Sequence, residues 1–91
     1  MKKSMRFFIT GSIQKTIFNE FIKINADKLG VKGFTRLKED KTLEVFIEGD
    51  KMAIEKMAPI CRRGPPHAII RSVKEQEERF QDFKEFKILN F

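Results

Sequence analysis

Two stretches of helical periodicity, each lying between strand-like stretches, constrain the fold of this chain more than any other feature. In residues 18–29 the apolar side chains recur at the i, i+3, i+4 spacing of a helix, and Gly30 follows where a left-handed C-terminal residue is favoured. The second pattern begins after Asp50, a candidate N-cap. Its apolar stripe consists of Ile54, Met57, Ala58 and Cys61.

Pro59 interrupts the second helical stripe. Proline cannot donate the helical hydrogen bond to the carbonyl of Glu55, so we expect a kink or an early end of the helix at this position. Arg62 and Arg63 suit the C-terminal end of a helix, and Gly64 is the expected terminator.

Strand-like patterns surround both helices. In residues 42–48 the apolar Leu43, Val45 and Ile47 alternate with Glu44, Phe46 and Glu48, which is typical of an antiparallel sheet covered on one face. Residues 74–79 are charged and polar, and predict either an extension of the fourth strand into solvent or a surface loop. The predicted strands are residues 5–10, closed by Gly11, then 33–37, 42–48, 68–73 and 86–89, with a polar turn at 38–41.

The order of these elements predicts the fold class. Two strand–helix–strand units with right-handed crossovers form an antiparallel sheet that carries both helices on one face. We therefore expect an α+β protein, a ferredoxin-like α/β sandwich of order βαββαβ with a short C-terminal strand. At 91 residues it is expected to be a single domain with one core.

Composition excludes several classes of protein. No apolar run approaches the roughly 20 residues needed to cross a bilayer, and no signal-peptide hydrophobic region follows the basic start, so we expect a cytoplasmic protein. Cys61 is the only cysteine, which excludes an internal disulfide and a cysteine-based metal cluster. Its place on the apolar stripe predicts a small buried side chain. The only histidine, His67, follows Pro66 and is interpreted as a turn residue, so no metal site is expected.

The turn between the first strand and the first helix is a candidate anion site. The strand ends at Gly11 and the helical pattern begins near Thr16 or Phe18, so the backbone N–H groups between them are expected to point the same way. The net charge is +6, and residues 1–41 carry ten Lys or Arg against four Asp or Glu, whereas residues 42–91 carry nine against nine. This excess favours an anionic ligand; the alternative is a solvated, Lys-rich surface.

Five motifs resemble the acylphosphatase family. Residues 11–19, Gly-Ser-Ile-Gln-Lys-Thr-Ile-Phe-Asn, resemble the signature Gly-x-Val-Gln-Gly-Val-x-Phe-Arg. Residues 26–34 are similar to Ala-x-x-Leu-Gly-Val-x-Gly-Trp. The other three matches are residues 42–49 with the next strand and turn, 64–68 with a Gly-Pro-x-x-Ala connector and 86–88 with a closing Phe-x-Ile. Together they span nearly the whole chain.

The resemblance implies hydrolysis of carboxyl phosphates without a metal or another cofactor. In the family the turn backbone and one arginine hold the phosphoryl group, and an asparagine on the second strand positions water. Here the arginine position is Asn19 and the asparagine position is Leu37. Because phosphoryl transfer depends on positioning and charge stabilisation, the loss of both side chains predicts little or no ordinary acylphosphatase activity.

Lys15 is the candidate substitute for the missing cation. It stands where the family has glycine, and either supplies a point charge to a bound phosphate or points into solvent. If this position requires positive φ, a lysine is strained there and the loop is reshaped. Arg36 is expected to face away from the site, because neighbouring side chains of a strand point to opposite faces. The expected anion-binding loop comprises Ser12, Ile13, Gln14, Lys15, Thr16, Ile17 and Phe18.

A further hypothesis concerns the sheet face opposite the helices. Phe8 and Phe46 are expected to share this face with Arg6, and RNA-binding modules of similar topology stack bases on such aromatic pairs. The alternative, which the sequence favours, is a packing pair on the exposed face or a patch buried by a loop, the C-terminal tail or a second subunit, since Glu44 and Glu48 flank Phe46 and would repel phosphates.

Three functions follow from these patterns. The first is a catalytically degenerate acylphosphatase-like domain, expected to be a monomer, that retains at most a site for phosphate or another small anion. The second is an active or weakly active hydrolase of acyl or carbamoyl phosphates that uses the loop backbone and Lys15. The third is nucleic-acid binding on the open sheet face.

Overall fold

The computed structural model describes residues 1–89 and contains the predicted order of strands and helices. The elements are β1 (Lys2–Ser12), α1 (Lys15–Leu29), β2 (Lys32–Leu37), β3 (Leu43–Asp50), α2 (Lys51–Arg63), β4 (Ile69–Glu77) and β5 (Phe86–Leu89). No helix in this part of the chain is long and apolar enough to span a bilayer.

The five strands form one sheet of order β4-β1-β3-β2-β5. β1 lies between β3 and β4 and is antiparallel to both, and β3 is also antiparallel to β2. Only β5 is parallel to its neighbour, β2. Both helices pack on one face of the sheet, which confirms the predicted ferredoxin-like α+β fold.

The core lies between this face and the two helices. Alternate residues of the two central strands point into it, as the period-two patterns predict, and are completely buried: Phe7, Ile9, Leu43, Val45 and Ile47. The helices contribute the residues of the two predicted stripes, including Phe18, Ile22 and Ala26 from α1 and Ile54, Met57 and Cys61 from α2. Gly30 ends α1 in the left-handed conformation, with φ 70° and ψ 24°.

The helix ends lie close to the predicted positions. α1 begins at Lys15, slightly earlier than the apolar pattern indicates, because its first turn is mostly exposed and carries no stripe. α2 does not take the early end that was one alternative at Pro59 but continues to Arg63 and is capped by Gly64, as predicted. Pro59 and Glu55 both lie on the exposed side of α2, where water can satisfy the carbonyl that proline leaves without a donor.

β4 extends to Glu77, so residues 74–77 form a strand and not a surface loop. These residues pair with Met5 to Phe8 of β1, which supplies backbone hydrogen bonds without requiring apolar side chains. The periodicity of side chains could not reveal this extension, because the ladder stabilises it through the backbone.

Residues 78–85, here called the crossing segment, cover much of the sheet face opposite the helices. They connect β4 at one edge to β5 at the other, so they must pass over the strands between. The ring of Phe83 lies 5.5 Å from that of Phe46 and 5.7 Å from that of Phe34, measured between centroids. Phe46 is consequently completely buried.

The Glu48 carboxylate holds the crossing segment in place. Glu48 is completely buried and accepts hydrogen bonds from the backbone N–H groups of Gln81, at 2.7 Å, and Phe83. It also accepts the hydroxyl of Ser4 at 3.2 Å. Burial of a carboxylate without hydrogen-bond donors is strongly unfavourable, and these donors offset that cost.

Glu48→Gln is expected to lower the free energy of unfolding by about 1–3 kcal/mol. The glutamine side chain places an NH₂ donor where the carboxylate has its second acceptor oxygen, so one of the N–H groups of Gln81 and Phe83 loses its acceptor. Urea denaturation measures this change, and hydrogen exchange should accelerate at the amides of Gln81 and Phe83. Glu55→Gln, on the exposed side of α2, is the matched control and should change stability by less than about 0.5 kcal/mol. Equal stability of the two variants would contradict the anchoring role of Glu48.

Candidate functional site

The turn between β1 and α1 is short and leads directly into the helix. Only Ile13 and Gln14 separate Ser12, the last residue of β1, from Lys15, the first of α1. The first helical hydrogen bond runs from the N–H of Phe18 to the carbonyl of Gln14, at 3.0 Å. The N–H groups of the preceding helical residues therefore have no carbonyl one turn back to bind.

Neither a capping side chain nor an acidic residue satisfies this helix start. The Gln14 side chain makes no capping hydrogen bond, and the first turn of α1 carries no Asp or Glu. The positive end of the helix dipole is thus available to an external anion.

The predicted loop residues do not form one surface. Lys15 and Thr16 line a depression of about 280 Å³ together with Asn19, Glu20 and Ile88 of β5. Four other loop residues contribute to a separate depression of about 310 Å³, which is formed by Ser12, Gln14, Ile17, Phe18, Pro65, Pro66, His67 and Ala68. Ile13 packs against the core.

Asn19 is buried and bonded to the sheet. It is 2% exposed, and its carbonyl oxygen accepts a hydrogen bond of 2.9 Å from the hydroxyl of Thr35, which is itself completely buried. Sequence reasoning did not single out Thr35. The available signal was a hydroxyl on the core-facing side of β2, since a buried polar group requires a partner.

Leu37 lies at the end of β2, two residues beyond Thr35 and so on the same face of the sheet. Its side chain packs against the core. It also lines a separate depression with Arg36, Lys38, Glu39 and Asp40, not the one that contains Asn19. Arg36 points to the other face, as expected, where its Nε donates to Glu44 at 2.6 Å.

Lys15 has ordinary helical geometry and is not strained by a positive φ. Among the described residues the non-glycine positions with positive φ are Lys41, His67 and Asp82. Because α1 begins at Lys15, this residue adopts the negative φ of a helix. It is half-buried, and no carboxylate within residues 1–89 forms an ion pair with its ammonium group.

The surroundings of Cys61 and His67 do not indicate a catalytic or metal-binding role for either residue. Burial raises the pKa of the Cys61 thiol to about 12, so this cysteine is protonated and unreactive at neutral pH. His67 lies exposed in the turn after α2, as predicted. Within the described part of the chain no group of three or more His, Cys, Asp or Glu residues could hold a metal ion.

The hypothesis of an exposed pair of aromatic rings on the open face is wrong for Phe46, where the alternative that the sequence favours applies. The crossing segment buries its ring completely, and the Arg6 guanidinium lies 5.0 Å from the ring centroid. Phe8 remains half-buried, with the Lys38 ammonium 5.0 Å from its ring centroid. The alternative interpretation, in which other residues cover the pair, applies to Phe46 alone.

The sequence model of the family described as acylphosphatase matches residues 5–88 of this chain. The chain belongs to the acylphosphatase family. The acylphosphatase of Pyrobaculum aerophilum is 39% identical over 84 residues, which cover 90% of this chain and 88% of that protein. The acylphosphatase of Aliivibrio fischeri is 33% identical over 87 residues, which cover 96% of this chain and 97% of that protein.

The fold is also similar to that of a solved family member. The structure of an acylphosphatase from Coxiella burnetii superposes with a TM-score of 0.87 at 20% sequence identity, and the match covers 97% of this chain and 93% of that one. The acylphosphatase fold is therefore present here, although the resemblance places Asn19 and Leu37 where the family has arginine and asparagine.

Thr35→Val is expected to lower the free energy of unfolding by about 1–3 kcal/mol, because the buried carbonyl of Asn19 loses its donor. Urea denaturation measures the loss, and Thr16→Val at the exposed start of α1 serves as the control. Combining Thr35→Val with Asn19→Leu removes both polar partners and should recover part of the stability. Simple addition of the two single losses would show that the pair does not interact.

Proposed function

We propose that this acylphosphatase domain binds phosphate or a similar small anion through the backbone of residues 13–17, which precede the first helical hydrogen bond, and does not hydrolyse acyl phosphates at a rate typical of the family. The N–H groups at the start of α1 supply the attraction for the anion. Family membership supports the position of the site, and the surroundings of Asn19 support the loss of turnover.

The buried bond between Asn19 and Thr35 carries this proposal. Hydrolysis of an acyl phosphate requires a cation that contacts the equatorial oxygens as charge redistributes in the transition state. The Asn19 amide is neutral, and its oxygen is directed to Thr35. An arginine at the same position could reach outward from the helix and donate two parallel hydrogen bonds. The Asn19 side chain therefore stabilises the fold through Thr35 and does not contact the ligand.

Leu37 also supports the loss of turnover, because it cannot position the attacking water. Orienting a water requires a donor or an acceptor, and a leucine side chain has neither. Loss of one preorganised donor lowers turnover by about 10²- to 10³-fold in comparable oxyanion sites. With a charge and a water-orienting group both absent, we expect a larger reduction.

Residual hydrolysis assisted by Lys15 is the second candidate function. The observation in its favour is that Lys15 and Asn19 line the same depression, so a lysine ammonium lies beside the position of the missing arginine. Lysine provides a point charge and not a planar pair of donors. Glu20, in the same depression, opposes this charge. These features favour weak hydrolysis, if any, over ordinary turnover.

Hydrolysis of benzoyl phosphate by the purified protein tests the proposal. The wild type should be inactive or very weakly active, because it lacks both side chains. Asn19→Arg combined with Leu37→Asn should raise the rate, and adding Thr35→Val avoids an unpaired hydroxyl in the same variant. Circular dichroism confirms that each variant is folded.

Lys15→Ala, with Lys56→Ala on α2 as its control, separates the two candidate functions. If the wild type hydrolyses the substrate weakly and only Lys15→Ala abolishes this activity, the second candidate is correct. Wild-type turnover comparable to that of an ordinary acylphosphatase would refute the degenerate site altogether.

A further inference from the structure

A polar groove with an aromatic floor lies on the open face of the sheet and shares no lining residue with the depressions around the start of α1. Its volume is about 380 Å³, which falls in the lower part of the range of small-molecule sites. It is formed at the β4–β1 edge of the sheet and by the turn between β2 and β3. The lining residues are Phe8, Thr10, Lys38, Asp40, Thr42, Ser72, Lys74 and Gln76.

Phe8 provides the aromatic surface of this groove. The crossing segment buries Phe46 but leaves Phe8 half-exposed on β1. The Lys38 ammonium, 5.0 Å from the ring centroid, is the group that now lies over the ring. Such cation–π contacts contribute little when exposed, so an aromatic ligand can take this position while Lys38 turns toward an anion.

Two lysines give the groove a positive charge. Lys74 is the cross-strand neighbour of Phe8 on β4, and Lys38 projects from the β2–β3 turn. Neither forms an ion pair within 4.0 Å with any carboxylate of residues 1–89. Glu44, which faces Phe8 from β3, does not oppose them because Arg6 and Arg36 both bind its carboxylate.

Hydroxyl groups and one carboxylate complete the lining. The hydroxyl of Thr10 lies 2.7 Å from that of Ser72, and the Asp40 carboxylate accepts the N–H of Thr42 at 3.0 Å. This hydrogen bond holds the pKa of Asp40 below its ordinary value, so the group stays ionised at neutral pH. A carboxylate of this kind is an acceptor for hydroxyl groups of a sugar.

We infer that this groove binds one nucleotide unit, free or within a single strand. The base stacks on Phe8, and the phosphate lies between Lys38 and Lys74. The lining hydroxyls and Asp40 contact the sugar. Base–aromatic stacking beside cationic side chains is the general chemistry by which sheet surfaces bind single-stranded nucleic acids.

The combination of groups distinguishes a nucleotide from simpler ligands. A bare phosphate would use the lysines but not the ring. An uncharged aromatic molecule would use Phe8 but would not benefit from two cations without ion-pair partners in the described chain. Only an anion attached to a flat ring uses both, so the test must vary the ring and the charge separately.

NMR titration of isotopically labelled protein tests the inference with three ligands: AMP, ribose 5-phosphate and a decaadenylate strand. AMP should shift the amides of Phe8, Thr10, Lys38 and Lys74, whereas ribose 5-phosphate should bind more weakly because it lacks the base. If the strand binds more tightly than AMP, the natural source is a single strand, and equal affinity assigns the groove to free nucleotides. Either result supports a nucleotide site.

Variants separate stacking from charge. Phe8→Leu keeps an apolar side chain and should weaken binding by about 5-fold or more, as loss of a stacking ring does elsewhere. Lys38→Gln and Lys74→Gln should each weaken binding and reduce the salt dependence of the strand affinity by about 0.7 in log–log slope. Lys56→Gln, an exposed lysine on α2, is the matched control and should leave the affinity unchanged.

Several results would overturn the inference. These are the absence of groove shifts at millimolar ligand, equal affinities of AMP and ribose 5-phosphate measured at the groove amides, and equal losses in Lys56→Gln and the groove lysine variants. The lysine changes are on exposed side chains, so they keep the test valid if Phe8→Leu proves unstable. None of these results depends on acyl phosphate hydrolysis, so they do not affect the proposed function.

Discussion

The strand order β4-β1-β3-β2-β5 requires the chain to cross the sheet face opposite the helices, and the buried Glu48 carboxylate fixes this crossing. The crossing determines two surfaces. It buries Phe46 under Phe83 while leaving Phe8 accessible, and it delivers β5 to the far edge of the sheet, where Ile88 forms one wall of the depression beside Lys15 and Asn19. Both candidate sites therefore depend on one internal polar anchor.

The proposed anion site combines an uncapped start of α1 with Asn19 and Leu37, which the resemblance places at the arginine and asparagine positions of the family. The short turn and the uncapped start of α1 involve residues 12–17 and neither Asn19 nor Leu37. Those two residues instead contribute to packing, Asn19 through Thr35 and Leu37 through the core. Under the proposed function, this separation allows the domain to keep the acylphosphatase fold and a place for an anion without the arginine and asparagine that the resemblance implies for the family.

The elements that face the core could be predicted from the sequence, because burial imposes periodicity on them. Both helices, both central strands and the short β5 follow from such patterns. Exposed segments carry no such signal, so the start of α1 is predicted one or more residues late and the sequence leaves the end of β4 undecided between strand and loop. Pro59 does not end α2, since on the exposed side of a helix water can bind the carbonyl that proline leaves without a donor. The family motifs located Asn19 and Leu37, but only the three-dimensional structure pairs Asn19 with Thr35 and covers Phe46.

The central claim is that the backbone at the start of α1 still attracts phosphate although the catalytic side chains are absent. Titration of the labelled protein with inorganic phosphate, followed by amide chemical shifts, tests this claim most directly. The account predicts saturable shifts at residues 14–18 that persist in an Asn19→Ala variant, because the backbone and not this side chain binds the anion. The absence of shifts at these residues, or their loss in Asn19→Ala while the protein stays folded, would contradict it.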